Sequence, residues 1–538
     1  MSIPHIEMQN GQKVLYVHDS PFVMLSGEVH NSSSSSAEYM EDIWRKTDEW
    51  NLNSLLLPVS WEMIEPKEGQ FDFSVVEQLI MQARAYNKKI GFLWFGAWKN
   101  AQCYYAPEWI KKDLGRYKRA QVQKGKNYLK LEQFHGFPYT TLSAFCEETK
   151  QADANAFAKL MTHIKEFDAE ENTVIVIQVE NETGVMGCAR EHSDEADVCY
   201  SQAVPGGLLT YLKNRKGELS SELSQNFVRE CKEGDTWKQV FGNMSEEIFT
   251  AYHTAAYVNT VASAGKESYP LPMAVNCWLD KKQEPGRYPT GGPVAKLIDI
   301  WQYAAPAIDV IAPDIYVPYF SEVCDEYHVK GNPLFIAECE THSYAAAREI
   351  YTVAHHHAMC YAPFGIEDLG QRFNAMQGRL FGMETEDDML KTPQSIAEYT
   401  KVNQLLQELL PQIGKAYGSA RLQGCSIEQE VKEGLIFDPF VFRPKFQSEY
   451  IENRNGACLV LQATAEEFYV IALGCLLQID SGDSMRPNID FLCVEEGNMV
   501  DGIFTPKRRL NGDEVAVFIV EDPTLLRIKL FCYKHDTI

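Results

Sequence analysis

No run of about eighteen apolar residues occurs anywhere in the chain, which excludes an ordinary membrane-spanning helix. The N-terminus, MSIPHIEMQNGQKVLYV, has no basic stretch followed by an apolar one, so it does not read as a secretory signal. A cytoplasmic location and no membrane partner are therefore expected. The 14 cysteines are scattered singly from Cys103 to Cys532 without a CxxC. Without a secretion signal they read as buried free thiols rather than a disulfide framework or zinc site. Clusters of Lys and Arg are missing too, and a net charge of -25 argues against a nucleic-acid partner, since phosphate binding needs a basic face. No Gly-rich phosphate loop stands out, so no nucleotide or other cofactor is expected. His355, His356 and His357 are adjacent at the end of a helical pattern, where three successive imidazoles cannot all face one ion; no metal is expected.

What is present is a large, ordinary globular composition, 538 residues with 45% hydrophobic and 23% charged, enough for a large barrel and an accessory domain. Apolar runs at 12–17 and 22–26 flank a turn-like His18-Asp19-Ser20-Pro21 and predict a hairpin. The serine tract Ser32–Ser36 reads as a loop. Helical and strand periods then alternate. Strands are expected near 54–57, 90–95, 174–179, 272–276, 308–312, 334–338 and 359–364, with helices including 153–167, 246–264, 293–304 and 343–357. Ser74 and Glu77 have capping-box spacing ahead of a helix whose core face is Val76, Leu79, Ile80 and Ala83. Counting the run before Gly27, this predicts an α/β fold, a (β/α)8 TIM barrel over 1–375 with the N-terminal hairpin and an irregular insertion near 185–243. A polar, Met-containing segment after Asp368 and a helix near 394–412 form a helical connection over 376–420. From 421 to 538, short alternating runs broken by Gly, Asp and Asn predict an antiparallel, β-sandwich-like domain.

A barrel of this kind carries its chemistry at the C-terminal ends of its strands. Those ends hold Glu28 to Asn31, Trp61-Glu62, Gly96 to Asn100, Glu180-Asn181-Glu182, Asn276-Cys277-Trp278, Pro313 to Tyr316, and Glu338-Cys339-Glu340. Carboxylates, amides and aromatic rings on one rim suit glycosidic bond cleavage. One carboxyl gives a proton to the leaving oxygen, another attacks the anomeric carbon, and rings offer flat faces to sugars. A gap of about 5 to 5.5 Å between the two gives retention. Period-two alternation cannot choose Glu182 over Glu180, or Glu338 over Glu340, because each pair would share a face.

The segment QVENETG at the end of the fourth strand resembles QVENEYG of glycoside hydrolase family 35, the β-galactosidases. SWEMIEPKEGQFDFS is similar to that family's segment after the second strand, and NPLFIAE to the nucleophile-bearing end of its seventh. Cys493 to Gly497 and Arg508-Arg509-Leu510-Asn511-Gly512-Asp513-Glu514 resemble a β-domain that follows the barrel in a bacterial subgroup of the family. The resemblance implies a retaining, exo-acting β-galactosidase that removes terminal β-D-galactose from an oligosaccharide or glycoside. It makes Glu182 the general acid/base and Glu338 the nucleophile, with Asn181 on the sugar 2-hydroxyl and Tyr316 beside the nucleophile. Glu62, Trp98, Asn100, Asn31 and Trp278 become pocket residues, and Glu180 supports the site through hydrogen bonds. The sequence departs from the family at two places. Phe95-Gly96-Ala97-Trp98 stands where better-known members have Cys-Ala-Glu-Trp, whose Glu contacts galactose, and Pro58-Val59-Ser60-Trp61 stands for Tyr-Val-Pro-Trp. Glu62 is then a candidate replacement for the lost carboxylate. Another β-glycosidase or transglycosylase preference, such as β-glucosides, and a non-catalytic carbohydrate-binding barrel are the alternatives. Self-association as a homo-oligomer is one role open to the C-terminal domain.

Overall fold

The structure is a computed structural model that describes residues 2–126, 129–130, 138–215, 217–228, 230–329, 331–370 and 392–534. The polar segment expected after Asp368 falls mostly on 371–391, outside the described residues.

Eight parallel strands form the central sheet: β1 Met24–Leu25, β2 Ser54–Ser60, β3 Lys89–Phe95, β4 Val174–Val179, β5 Met273–Trp278, β6 Val310–Ile315, β7 Phe335–Cys339 and β8 Cys360–Pro363. Their order is β1-β8-β7-β6-β5-β4-β3-β2, which returns the first strand to the side of the last. The ends nearly close: Val29 N–H reaches Leu56 O at 3.2 Å, and Asn53 N–H reaches Leu25 O at 3.0 Å. This is a (β/α)8 barrel. Its strands fit the burial that such a sheet imposes, since every residue of β4, VIVIQV, is buried and nearly all are β-branched. The expected hairpin is shorter than its pattern. Gln12–Val17 pairs with Ser20–Pro21 on one side and with His5–Gln9 on the other, and the following apolar run supplies β1 instead.

Two compact units divide the chain, one gathering Met1–His5, Val29–Glu41 and Leu56–Asp314, the other Ile6–Glu28, Asp42–Leu55 and Ile315–Ile538. In the first, α1 Ser74–Ala85 buries Val76, Leu79, Ile80 and Ala83 as its spacing requires. The capping box does not form. Asp72 accepts the Ser74 N–H at 2.9 Å, so Ser74 becomes the first helical residue rather than the cap. Helix α2 Glu147–Asp168 buries Phe157, Leu160, Met161 and Ile164. Its neighbour α3 Ser245–Ser268 approaches so closely that a Cβ on Gly265 would lie 2.2 Å from Phe157. The stretch 185–243 is only partly irregular. It carries short helices at Asp194–Ser201, Gly206–Asn214, Ser221–Asn226 and Trp237–Phe241, too brief for a hydrophobic period to show.

In the second unit, α4 Phe320–Tyr327, α5 Ala345–His355 and α6 Pro393–Ala416 accompany β7 and β8. Two antiparallel sheets follow. Their strands are β9 Leu422–Ser426, β10 Leu435–Phe437, β11 Phe440–Lys445, β12 Ala457–Thr464, β13 Glu467–Leu473, β14 Cys475–Ser481, β15 Asn488–Val500, β16 Ile503–Leu510, β17 Ile519–Val520 and β18 Thr524–Tyr533. The orders are β9-β12-β13-β18-β15-β16 and β10-β11-β14-β17, and both sheets feed one core that includes Phe437, Phe442, Phe468, Val494 and Leu526. The two C-terminal motifs face each other across β15 and β16, with Glu495 opposite Arg509 and Glu496 opposite Arg508. Arg508 pairs with Glu496 at 2.6 Å and Glu514 at 3.1 Å on an exposed surface, a cross-strand ion-pair ladder. All 14 cysteines are free thiols, all but Cys199 buried. No helix among the described residues is long and apolar enough to cross a membrane.

Candidate active site

β4 ends at Val179, and the backbone then leaves the extended region: Glu180 has φ 63° and Glu182 φ 45°. Alternation therefore stops at the strand end, and the two carboxylates diverge. Glu180, 0% exposed, turns toward Asp153 of α2, also 0% exposed. Trp98 N–H donates to Glu180 Oε2 at 2.8 Å, Trp94 Nε1 to Asp153 Oδ1 at 2.9 Å, and Tyr257 Oη to Asp153 Oδ2 at 2.9 Å. Burial first, and then the Asp153 charge, push the Glu180 carboxyl well above the usual range. Two buried acids side by side cannot both ionise, so the pair shares a proton beneath the strand end. Gly96 makes this possible, because a Cβ there would stand 2.4 Å from Trp94 Nε1 and 2.6 Å from Glu180 Oε1.

Glu182 is turned elsewhere and is 5% exposed. Asn100 Nδ2 donates to its carboxylate. Its own N–H donates to Asn276 Oδ1 at 2.8 Å, and Asn276 Nδ2 donates to Asp314 Oδ2 at 2.8 Å. Carboxylate oxygens of Glu182 and Asp314 lie within 4.8 Å of each other. Ala101 N–H closes the frame onto Glu182 O at 3.0 Å, and Tyr139 Oη donates to Asn100 O. Glu182 is thus held by β5 and by the loop after β3 at once.

Glu338 lies in β7 at a break in the ladder. Ile336 pairs with Tyr361 but Cys339 pairs with Pro363, so the register slips across Ala337 and Glu338. Such bulges re-aim a side chain. Glu338 is 4% exposed and accepts a hydrogen bond from Tyr316 Oη at 3.0 Å. Glu340 does not share its surroundings: Tyr344 Oη donates to it at 2.9 Å and Arg348 Nη1 at 3.2 Å.

The remaining expected residues divide. Asn181 is fully buried, with its N–H on Trp98 O at 3.3 Å. Trp98 is 2% exposed, its indole N–H on Gly184 O at 3.1 Å and its ring edge-on to Tyr257, so it packs as core. Trp278 and Asn31 are half-buried, and Asn31 Oδ1 is buried with no protein hydrogen-bond partner among the described residues. Glu62 is 40% exposed and paired with Lys111 at 3.0 Å. Ala97 is fully buried. Sequence reasoning missed Asp153, Arg348 and the part Asp314 plays; only Asp314 carried a signal, its place at the end of β6.

The three histidines have separate duties. His355 Nδ1 meets Gly424 O at 3.2 Å, His356 sits between His328 at 3.0 Å and Tyr351 at 3.0 Å, and His357 Nε2 meets Leu422 O at 3.2 Å. Asp325, His355 and His356 do offer atoms within 4.8 Å of one another, but both ring nitrogens of His356 are already engaged.

Residues 399–519 match a family described as a domain of unknown function, DUF5597, which covers much of α6 and most of the two antiparallel sheets. No curated protein matches the chain. Among solved structures, a β-galactosidase from Bacillus circulans sp. alkalophilus is similar at 15% identity and a TM-score of 0.46, over 73% of this chain and 57% of that one. A cold-adapted β-galactosidase from Rahnella sp. R3 is similar to the same degree, at 15% identity and a TM-score of 0.46 over 73% of this chain and 57% of that one. The chain thus spans 57% of the length of each.

Proposed function

We propose that the protein is a retaining glycoside hydrolase that removes terminal β-D-galactose, with Glu338 as nucleophile and Glu182 as general acid/base. The observation that supports this reading is that two nearly buried carboxylates stand at the ends of the fourth and seventh strands of one parallel barrel, Glu182 accepting from Asn100 and Glu338 from Tyr316. These are the strand ends at which the resemblance to glycoside hydrolase family 35 puts the acid/base and the nucleophile, and the C-terminal face of a barrel is where such sites are built.

In the first step a Glu338 oxygen bonds to the anomeric carbon while the bond from that carbon to the leaving oxygen breaks, and Glu182 gives the leaving oxygen its proton. In the second, Glu182 takes a proton from water, the water oxygen bonds to the anomeric carbon, and the ester to Glu338 breaks. Asn181 is assigned to the sugar 2-hydroxyl and Asn31 to another hydroxyl; Trp278 offers a ring face. Retention requires a carboxylate gap of about 5 to 5.5 Å.

Glu338→Gln and Glu182→Gln should each lower turnover by orders of magnitude, and near-parental activity in either refutes its role. Ala97, where the galactose-contacting Glu of better-known family members would stand, favours a second reading with another sugar, such as a β-glucosidase or a transglycosylase. Aryl β-galactoside and β-glucoside assayed side by side separate the two, and a strong gluco preference overturns the galactosidase assignment.

A further inference from the structure

The bulge at Ala337 and Glu338 interrupts the pairing of β7 with β8, so on that edge the ladder does not fix Glu338, although β6 still neighbours β7 on the other. Just beyond the bulge, Phe364 N–H of the barrel holds Cys339 O at 2.9 Å, and the next residues, Glu340 and Ser343, are held from the β-domain. Arg348 of α5 is 2% exposed. Its Nε and Nη2 donate to both oxygens of Glu428, each at 2.9 Å, while Nη1 donates to Glu340 at 3.2 Å. Glu428 lies just after β9. The planar face of the guanidinium stacks on Tyr344 at 3.9 Å and Phe320 at 4.2 Å, so the cation has no freedom to pivot. A second hold is Asn455, whose Nδ2 donates to Ser343 O at 3.1 Å. Behind both, β9 lies directly on α5: a Cβ on Gly424 would be 2.3 Å from Ala354 Cβ. A bidentate Arg–carboxylate pair fixes direction as well as distance, and a buried Glu340 cannot lose its cation without rearranging.

We propose that the C-terminal domain is a working part of the enzyme, with Glu428, through Arg348 and Glu340, and Asn455, through Ser343, as positioning residues for Glu338. The proposal rests on the reading of Glu338 as the nucleophile. It gives the domain a catalytic duty distinct from carbohydrate binding or self-association.

The test uses the full chain and the aryl β-glycoside that the parent hydrolyses best, well below the Tm of every variant. Glu428→Gln, Glu428→Asp, Asn455→Ala and Glu338→Gln are compared with Arg443→Ala, which breaks an exposed pair with Asp480 in the same domain. Turnover, KM and the rate of covalent trapping by a 2-deoxy-2-fluoro glycoside are read. Glu428→Gln and Asn455→Ala should lower kcat and the trapping rate by about tenfold or more, the scale expected of a misplaced nucleophile. KM should stay within about twofold, Glu428→Asp should recover part of the loss, and Arg443→Ala should behave as the parent. Parental turnover and trapping in Glu428→Gln and Asn455→Ala, or a loss that merely tracks Tm, overturns the proposal. If those variants are unimpaired while Glu338→Gln is inactive, this inference alone fails; parental activity in Glu338→Gln, or a parent with no turnover, defeats the underlying reading as well.

Discussion

Tyr316 directs its hydroxyl at Glu338, with 3.0 Å between Oη and Oε2. A hydrogen bond to a charged acceptor is worth about 1.5 to 3 kcal/mol, so Tyr316→Phe should lower kcat by about ten- to a hundredfold with little effect on folding. Steady-state kinetics on an aryl glycoside with thermal melts alongside check this. Parental kcat in Tyr316→Phe would separate the tyrosine from the nucleophile.

The Glu180–Asp153 pair lies fully buried beneath the end of β4. Glu180→Gln supplies a neutral donor in place of the shared proton and should leave stability near the parent. Glu180→Ala leaves a cavity and a buried Asp153 without its partner, and should lose about 2 to 4 kcal/mol. Urea unfolding of the two variants distinguishes them; equal losses would mean that the pair shares no proton.

Glu191 makes stability depend on pH. Burial pushes its carboxyl up to about 7 from an ordinary 4.5, although Ser143 donates to both its oxygens. In this window the unfolded chain releases the proton while the folded chain keeps it, so stability is greatest at the acid end and falls as pH rises. The loss from this group reaches about 3 kcal/mol by the upper end. Glu191→Gln should therefore flatten the dependence of Tm on pH between 4.5 and 7, and an unchanged slope would argue against this source.

How far the sequence reads depends on whether local pattern and tertiary contact agree. Val174–Val179 was legible to the residue, because a β-branched run buried on both faces has no competing reading. The choice between Glu180 and Glu182 was not, because alternation holds only while the backbone stays extended, and both residues have positive φ. The slip beside Glu338 is likewise a pairing property, invisible until β8 is opposite. Arg348 sits in AAAREIYTVAH, a plain helical pattern, and its partner Glu428 is 80 residues away. Ser74 and Glu77 had the right spacing for a capping box, yet Asp72 took the amide first.

The most direct measurement is covalent trapping. A 2-deoxy-2-fluoro-β-galactoside with a good leaving group should inactivate the protein with one sugar bound per chain, and peptide mass spectrometry should find that sugar on Glu338. Glu182→Ala should still be labelled by the activated reagent but release the sugar slowly, with rescue by azide to the β-glycosyl azide. A label on Glu340 or any other residue, or rapid hydrolysis of galactosides by a chain that the reagent never labels, would contradict the account.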